Sequence, residues 1–292
     1  MKYGVVFPQT EIGADPGPIR EFAEAVENLG FDGLMVYDHV IGADTEHHPE
    51  LDDPFYDIDD CFHEIMVLFG YLAAVTQRIR LITGIVILPQ RQTVLVAKQA
   101  AEVDVLSGGR LTLGIGIGWN PVEFEALEED FHNRGQRSEE QIDVMRALWT
   151  KKLVDYQGRW HHIRGAGLNP LPVQRPIPIW IGGDAYPVLE RIGRIGDGWL
   201  PLMVPDKDAR EKVKAIHDSA REAGRDPSAI EIAVVPHLAG SNLGEVVDQM
   251  REWRTLGATH FYLDTMGAGL GTASEHIEVM KSFKKATEKL GN

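Results

Sequence analysis

Short apolar segments alternate with helical segments along this chain. The helical segments carry apolar residues at a spacing of three and four, and in residues 18–29 the shared face would consist of Ile19, Phe22, Val26 and Leu29. The apolar segments have the length of strands and lie at residues 3–7, 33–37, 81–88, 111–118, 177–181, 198–200, 230–235 and 261–263. Strands separated by helices predict a parallel sheet with helical crossover connections.

Further helices are predicted at 64–75 and 94–106, and two helices are predicted from capping signals. Ser138 followed by Gln141 has the spacing of a capping box and predicts a helix that begins there, and Thr272 with Glu275 predicts the start of the last helix, which would end at Gly291. Eight strands with intervening helices predict an α/β protein, a (β/α)8 TIM barrel that forms a single domain over residues 1–292. A doubly wound open sheet stays open as an alternative, because periodicity does not reveal whether a sheet closes.

Two segments interrupt this alternation. Residues 41–62 form a long acidic stretch after the second strand, and residues 153–163 have the pattern of a hairpin that turns at Gln157 and Gly158. In a barrel the loops that follow strands build the active site at the C-terminal face. We therefore expect both segments to be insertion loops at that face, where they would contact the substrate.

Composition narrows the classes of partner and compartment. The net charge of −15 argues against nucleic acid or an anionic membrane as partner, because both are polyanionic. The single cysteine, Cys61, excludes an intrachain disulfide and suits a reducing cytoplasm. The N-terminal stretch is too short to be a secretion signal, and no apolar run has the length of a membrane span. We expect a cytoplasmic protein that acts on a small molecule.

The most informative stretch is LTLGIGIGWNPVEF, at residues 111–124. Gly114, Gly116 and Gly118 alternate with apolar residues, so one face of this strand would carry no side chains. We interpret that face as a surface on which a large flat cofactor lies against the backbone. The dinucleotide fingerprint G-x-G-x-x-G does not fit, because Trp119 occupies the position of its last glycine.

The residues that follow the strands are the ones a barrel directs at its ligand. They are rich in glycine, amide and aromatic groups and include no nucleophile with an adjacent base, which favours a planar heterocycle over acyl or phosphoryl transfer. These residues are Pro8, Gln9, Asp38, His39, Ile87 to Gln90, Gly118, Trp119, Asn120, Gly182, Gly183, Asp184, Met203, His237 and Asp264.

Several motifs together carry a family resemblance. They are Tyr37-Asp38-His39-Val40, Pro89-Gln90-Arg91 with Ala97-Lys98, LSGGRL at 106–111, GIGIGW at 114–119 with Glu123-Phe124, Arg134-Gly135, IWIGG at 179–183 and GDGW at 196–199. On these motifs the chain resembles the luciferase-like monooxygenase superfamily, and within it the branch of F420-dependent oxidoreductases. The resemblance covers nearly the whole chain outside residues 41–62.

The resemblance implies roles for particular residues. His39 would lie beside the cofactor ring as proton donor or acceptor, a task for which imidazole is suited near neutral pH, with Trp119 and Glu123 as further catalytic candidates. Asp38 would fix that imidazole or bind the cofactor. The alternative for Glu123 is an acidic residue near a helix N-terminus that is there only because the helix dipole stabilises it. Arg91 would bind an anionic group or form a structural ion pair.

The resemblance also implies the cofactor contacts. A non-prolyl cis peptide bond at Gly84–Ile85 would form a bulge that backs the ring, and the backbone of Gly182 and Gly183, before a helix that starts near Pro187, would hold its phosphate. The full set of predicted cofactor-binding residues is Asp38, His39, Gly84, Ile85, Ile87, Gly116, Ile117, Gly118, Asn120, Gly182 and Gly183.

The function implied by the resemblance is an oxidoreductase that transfers hydride between the deazaflavin F420 and an unidentified small organic substrate. The alternatives are an FMN-dependent monooxygenase, which would need a separate reductase, and a non-catalytic flavin-binding barrel. The resemblance further implies a homodimer. Glucose 6-phosphate oxidation is disfavoured, because Trp119 stands where that branch has an acid directly after the glycine-rich turn.

A metal site is not expected. Glu46, His47 and His48, with Asp52 and Asp53, are interpreted as an acidic solvated loop. In the hairpin, the alternation of a strand would direct one of His161 and His162 inward and the other outward.

Overall fold

The apolar segments form strands of a parallel sheet in the computed structural model, which describes residues 1–51 and 55–288. The strands are β1 (Lys2–Val6), β2 (Gly33–Val36), β3 (Arg80–Thr83), β4 (Val86–Ile87), β5 (Leu111–Gly116), β6 (Val154–Gln157), β7 (His162–Ala166), β8 (Ile179–Gly182), β9 (Gly198–Leu200), β10 (Glu231–Val234) and β11 (His260–Leu263).

Helices connect the strands of the parallel sheet on its outer side. They are α1 (Gln9–Ile12), α2 (Pro16–Asn28), α3 (Ile65–Val75), α4 (Thr93–Ser107), α5 (Pro121–Ala126), α6 (Arg134–Thr150), α7 (Tyr186–Ile195), α8 (Lys207–Glu222), α9 (Leu243–Thr255) and α10 (Ala273–Glu288).

The sheet closes on itself. β3 and β4 are two parts of one barrel strand that is interrupted at Gly84 and Ile85, and β3 pairs in parallel both with β2 and with β5. The order of pairing then runs through β8, β9, β10 and β11 back to β1, which makes eight barrel strands. The predicted (β/α)8 barrel is confirmed, and the alternative of an open sheet is wrong.

Apolar side chains fill both sides of the barrel wall. A small cluster occupies the interior, where Trp180 and Tyr262 are its largest members, and a larger cluster packs the helices against the outside of the strands. Because both faces of the strands are buried, the strands have continuous apolar sequences rather than strict alternation. This is why short apolar runs predicted them well.

The two capping predictions had different outcomes. The helix expected to begin at Ser138 begins at Arg134, and the Ser138 hydroxyl instead donates to the carbonyl of Gly135 from within α6. The signal was wrong because the residues before it continue the helix. At α10 the Thr272 hydroxyl accepts from the amide of Glu275 at 3.3 Å, as predicted, whereas Leu290 and Gly291 lie outside the described residues.

Helices α8 and α9 were not assigned bounds from the sequence, although α9 begins with a complete capping box. Asn242 accepts from the amide of Glu245, and the Glu245 carboxylate accepts from the amide of Asn242. The hairpin is confirmed, because β6 and β7 pair antiparallel. The described residues of the 41–62 loop contain neither helix nor strand.

Candidate functional site

The C-terminal ends of the barrel strands meet at one end of the barrel, which we call the mouth. Of the predicted cofactor-binding residues, His39, Gly84, Ile85, Ile117, Gly118, Gly182 and Gly183 are half-buried there. The remaining ones are buried: Asp38, Ile87, Gly116 and Asn120. The structure therefore brings the predicted residues to one end of the barrel but leaves only part of them accessible.

His39 is held by a buried carboxylate. Its Nδ1 lies 3.3 Å from Oε1 of Glu123, and the same oxygen accepts from the backbone amide of Val40 at 3.3 Å. The side-chain amide of Gln90 donates to Oε2 of Glu123 at 3.0 Å. The Glu123 side chain is 0% exposed because α5 starts directly after the glycine strand and directs its first turn under the loop after β2. The sequence placed Glu123 at the site, but its hydrogen-bond partners follow only from the fold.

Hydrogen bonding keeps this buried carboxyl ionised. Burial by itself raises the pKa of Glu123, but the hydrogen bonds from His39 and Gln90 outweigh burial, so the pKa is lowered from its ordinary value. A carboxylate that accepts from Nδ1 leaves the lone pair of a neutral imidazole on Nε2. In this tautomer Nε2 is the nitrogen that exchanges protons.

Asp38 does not orient His39, contrary to one of the two roles expected for it. Its carboxylate accepts from the guanidinium of Arg91 at 2.6 Å, and the same guanidinium donates to Glu64 at 3.2 Å. Burial raises the pKa of Asp38 although Arg91 opposes the shift. Arg91 is thus a structural ion-pair partner, the second of the two interpretations offered for it.

Tyr56 is a site residue that was not predicted from the sequence. This residue of the 41–62 loop is 3% exposed, and its ring stacks on His39 with the centroids 3.5 Å apart and the planes at 25°. The amide of Asn120 donates to its hydroxyl at 3.0 Å. The aromatic pair Phe55 and Tyr56 within an otherwise acidic loop is the signal that could have indicated a buried anchor there.

Trp119 and Asn120 take up different positions in the turn after β5. Trp119 is 38% exposed and meets the ring of Tyr56 edge to face at 5.8 Å. Asn120 is buried and caps α5, since its side-chain oxygen accepts from the amide of Val122 at 3.0 Å. Trp119 therefore faces the mouth, whereas Asn120 supports the turn from below and holds Tyr56.

The cis peptide bond predicted at Gly84–Ile85 is present, and it forms the interruption between β3 and β4. The explanation given for the glycines of β5 was wrong. A Cβ on Gly116 would lie 2.5 Å from Cδ1 of Ile85, and one on Gly118 would lie 2.6 Å from Cγ2 of Ile87. The glycine face is filled by the neighbouring strand, so Ile85, not the glycine backbone, forms the surface at the mouth.

Gly182 and Gly183 lead into the N-terminus of α7. Gly183 has φ of +116°, and Ala185 at the N-cap makes no side-chain capping hydrogen bond, so the first amides of α7 are not capped by that residue. A small cavity beside Gly182 is lined by Ser138 and Arg191 among others. An uncapped helix N-terminus beside glycine backbone fits a phosphate group, and the half-exposed Ile85 fits the face of a flat ring.

The remaining predicted histidines have structural partners. His161 points inward, where Nδ1 lies 2.8 Å from Glu140 and Nε2 lies 2.6 Å from the hydroxyl of Thr93, whereas His162 is exposed, as the alternation predicted. His47 and His48 contact Asp44 and Glu50 separately, and Asp52 and Asp53 lie outside the described residues.

The rest of the described structure has neither a membrane-spanning helix nor a cluster of metal ligands. Within residues 1–51 and 55–288, no helix has the length and apolar character needed to cross a membrane, and no group of three potential metal ligands is found. A wide groove between α2 and α10 is lined by Arg20, Glu21, Glu24 and Lys281. It lies away from the barrel mouth, and its side chains are those of an ordinary charged surface.

Comparisons with known proteins show which family and which fold the chain shares. The sequence model of the family described as luciferase-like monooxygenase matches residues 1–262. An uncharacterized protein of Mycobacterium tuberculosis is 29% identical over 283 residues, which cover 95% of this chain and 96% of that protein. An F420-dependent glucose-6-phosphate dehydrogenase of Gordonia bronchialis is 30% identical over 227 residues, which cover 74% of this chain and 62% of that protein.

A solved structure shares the fold. The F420-dependent secondary alcohol dehydrogenase in complex with an F420-acetone adduct superposes with a TM-score of 0.77 at 19% identity, and the match covers 98% of each chain. At this level of identity the likeness shows the barrel fold alone.

Proposed function

The chain belongs to the luciferase-like monooxygenase family, a family of oxidoreductases, and on that premise we propose that it is an F420-dependent oxidoreductase. It would transfer hydride between the deazaflavin and a small organic substrate. The observation that carries the proposal is His39 at the barrel mouth, whose side chain is 17% exposed and is held by the buried Glu123. The surfaces that fit a ring and a phosphate lie at the same end of the barrel.

The proposal assigns cofactor contacts to the accessible part of the mouth. Ile85 and Gly84 would lie against the ring, with Ile117 and Gly118 beside it, and the amides after Gly183 would bind the phosphate. The buried residues Asp38, Ile87, Gly116 and Asn120 would support this surface from below rather than touch the ring face. When bound, the deazaflavin would supply the hydride chemistry.

The chain's own residues would manage the proton and the water. Glu123 would hold His39 through Nδ1, so that Nε2 gives a proton to the substrate or takes one from it. Trp119 and the 41–62 loop would cover the reacting atoms and exclude water. His39 would act directly on the substrate, and Glu123 would act through His39.

Dissociation constants for F420 and FMN, measured on one preparation by fluorescence titration, test the proposal. We expect the tighter binding for F420, and a His39→Asn variant should lose turnover while retaining F420 binding. The exposed Glu125, on the same helix as Glu123, provides the control as Glu125→Gln. Tighter binding of FMN, with oxygen uptake that depends on NADH and a reductase, would contradict the proposal.

One observation favours the second candidate, an FMN-dependent monooxygenase coupled to a reductase. F420 carries a polyanionic glutamate tail, yet three cations of α7 and α8 are already paired with carboxylates. Arg191 and Arg194 both contact Glu139, and Lys212 contacts Asp184 at 3.2 Å. FMN has no such tail and would need no additional cations. A flavin-binding barrel without turnover is the third reading, and turnover of any substrate by the cofactor-loaded protein would exclude it.

We also propose that the protein is a homodimer. Helix α3 is apolar almost throughout, and Val67 on α3 and Leu95 on the adjacent α4 are exposed although both are large apolar side chains. A second copy packed on this face would cover them. Light scattering on the wild type and on a Val67→Glu variant tests this, because the variant should have half the mass.

The rest of the proposal concerns organisation and compartment. We propose a single domain over residues 1–292, located in the cytoplasm, a compartment that the single cysteine suits. Limited proteolysis and cell fractionation test these two statements.

A further inference from the structure

Aromatic rings form a collar beside His39 at the mouth of the barrel. We define this collar as Phe55, Tyr56, Phe62 and Trp119, together with His39 itself. The ring of Phe62 meets two other rings edge to face, that of His39 with the centroids 4.9 Å apart and that of Tyr56 with the centroids 5.4 Å apart. The rings of Phe55 and Trp119 also meet edge to face, with the centroids 6.0 Å apart. Residues from the 41–62 loop and from the turn after β5 thus converge on the imidazole.

The outer half of the collar exposes apolar surface. Phe55 is 93% exposed and Trp119 is 38% exposed. The contact between their rings therefore leaves most of Phe55 in solvent. Val40, directly after His39, is exposed as well. A contiguous apolar patch on a soluble protein commonly marks a binding surface. Here the patch adjoins the proton-handling residue, which makes a small ligand the fitting occupant.

Among the described residues, the charged groups that contact His39 and its neighbour Asp38 are negative or paired. The carboxylate of Glu123 lies beneath it, and a protonated His39 would be compensated by that carboxylate at 3.3 Å. The nearby guanidinium of Arg91 is shared between Asp38 and Glu64. An anionic substrate would thus lose its hydration without gaining a free cation in return.

From these observations we propose that the collar binds a small uncharged planar molecule, such as an aromatic aldehyde or ketone. Its ring would lie against the exposed surfaces of Phe55 and Trp119, and its oxygen would point toward His39. This class would be the substrate class of the proposed oxidoreductase. Binding to the collar does not depend on that function, whereas turnover of the bound molecule rests on it. The Gordonia relative is named for glucose 6-phosphate, a charged and non-planar molecule, which this collar does not suit.

Isothermal titration calorimetry on the full chain, with and without saturating F420, tests the proposal with three probes. 2-Naphthaldehyde is planar and uncharged, 2-naphthoate has the same ring system with a negative charge, and cyclohexanecarbaldehyde has the aldehyde without a planar ring. We expect 2-naphthaldehyde to bind at least about tenfold more tightly than either of the others, a ratio that one lost aromatic contact or one uncompensated charge produces. Equal affinities, or tighter binding of 2-naphthoate or of cyclohexanecarbaldehyde, would overturn the proposal.

A pair of surface variants locates the site. Phe55→Ser should weaken 2-naphthaldehyde binding about tenfold, whereas Leu106→Ser, at an exposed position on α4, should leave it unchanged. Because Phe55 is almost fully exposed, the unfolding temperature should not change in either variant. A Trp119→Phe variant keeps a ring and should retain most of the affinity. Loss of affinity in Leu106→Ser, or none in Phe55→Ser, places the ligand elsewhere and overturns the proposal. Since binding is measured without turnover, its failure is distinct from a failure of the oxidoreductase function.

Discussion

Replacing Glu123 by glutamine probes the centre of the site with a change of charge but almost none of shape. In the wild type the carboxylate accepts from Nδ1 of His39, from the amide of Val40 and from Nε2 of Gln90. A glutamine retains one acceptor oxygen and presents an amino group with the other half. At least one of the three donors then faces a donor within a fully buried space.

The cost follows from these contacts. A buried donor left without an acceptor costs about 1–3 kcal/mol, and a hydrogen bond to a charged group contributes about 1.5–3 kcal/mol. Since glutamine keeps part of the bonding, we expect Glu123→Gln to lower the free energy of unfolding by about 2–4 kcal/mol. Glu125→Gln, the same chemical change two residues away on the exposed side of α5, should alter it by less than about 0.5 kcal/mol.

Urea unfolding followed by circular dichroism at pH 7 measures both variants, with the comparison made at an unchanged slope. The reasoning is refuted if both variants have the midpoint of the wild type, because the hydrogen bonds around Glu123 would then make no net contribution to stability.

The same variant has a pH dependence of known sign. Because the folded protein lowers the pKa of Glu123 below its ordinary value of 4.5, the unfolded chain takes up this proton first as the pH falls. The stability contributed by the carboxylate is therefore fully present above about pH 4.5 and is lost as the pH falls through the lower folded value. The gap between wild type and Glu123→Gln should narrow below pH 4.5, and a gap that widens there would contradict the assignment.

Three further changes test other contacts. Asp38→Asn should destabilise the protein by about 3 kcal/mol, because the buried guanidinium of Arg91 would lose its buried carboxylate partner. Glu64→Gln, at a partner whose side chain is 41% exposed, should cost less than about 1 kcal/mol. Equal urea midpoints for the two variants would refute this. Burial lowers the pKa of His276 from 6.5 to about 4. Between these pH values the unfolded chain binds the proton and the folded protein does not, so the free energy of unfolding should fall by up to about 3 kcal/mol as the pH drops from 6.5 to 4. His276→Gln should flatten that part of the urea-midpoint profile, and an unchanged profile would contradict it. Gly158→Ala would put a Cβ 2.3 Å from Oε1 of Glu140, an oxygen that accepts backbone amides of the hairpin turn. The clash should displace the carboxylate, so these amides should exchange hydrogen faster when exchange is followed by mass spectrometry. Unchanged protection would count against the contact.

The prediction of individual elements succeeded where the signal was local. Gly198–Leu200 has the predicted bounds, and α3 differs from the predicted helix by one residue, because burial of an apolar run depends mainly on the run itself. The capping signal at Ser138 failed because a capping box marks a helix start only when the preceding residues leave the helix, and residues 134–137 do not.

Side-chain pairings across the site could not be read from the sequence. Asp38 and His39 are neighbours in the chain, yet each pairs with a residue more than fifty positions away, Arg91 and Glu123 respectively. Adjacent side chains at a strand end diverge, so the partner of each depends on which loop packs beside it. The stacking of Tyr56 on His39 has the same origin, since the conformation of a long loop is decided by tertiary packing.

Strand periodicity, strand-end positions and short motifs predicted the class of fold, the family and the set of residues that meet at one end of the barrel, because each of these signals is a property of neighbouring residues. Three features became visible only in the folded barrel: Ile85 and Ile87 fill the glycine face of β5, Glu123 and not Asp38 holds His39, and an aromatic collar surrounds the imidazole. These features depend on contacts between segments far apart in the chain, and such contacts exist only once the barrel has closed.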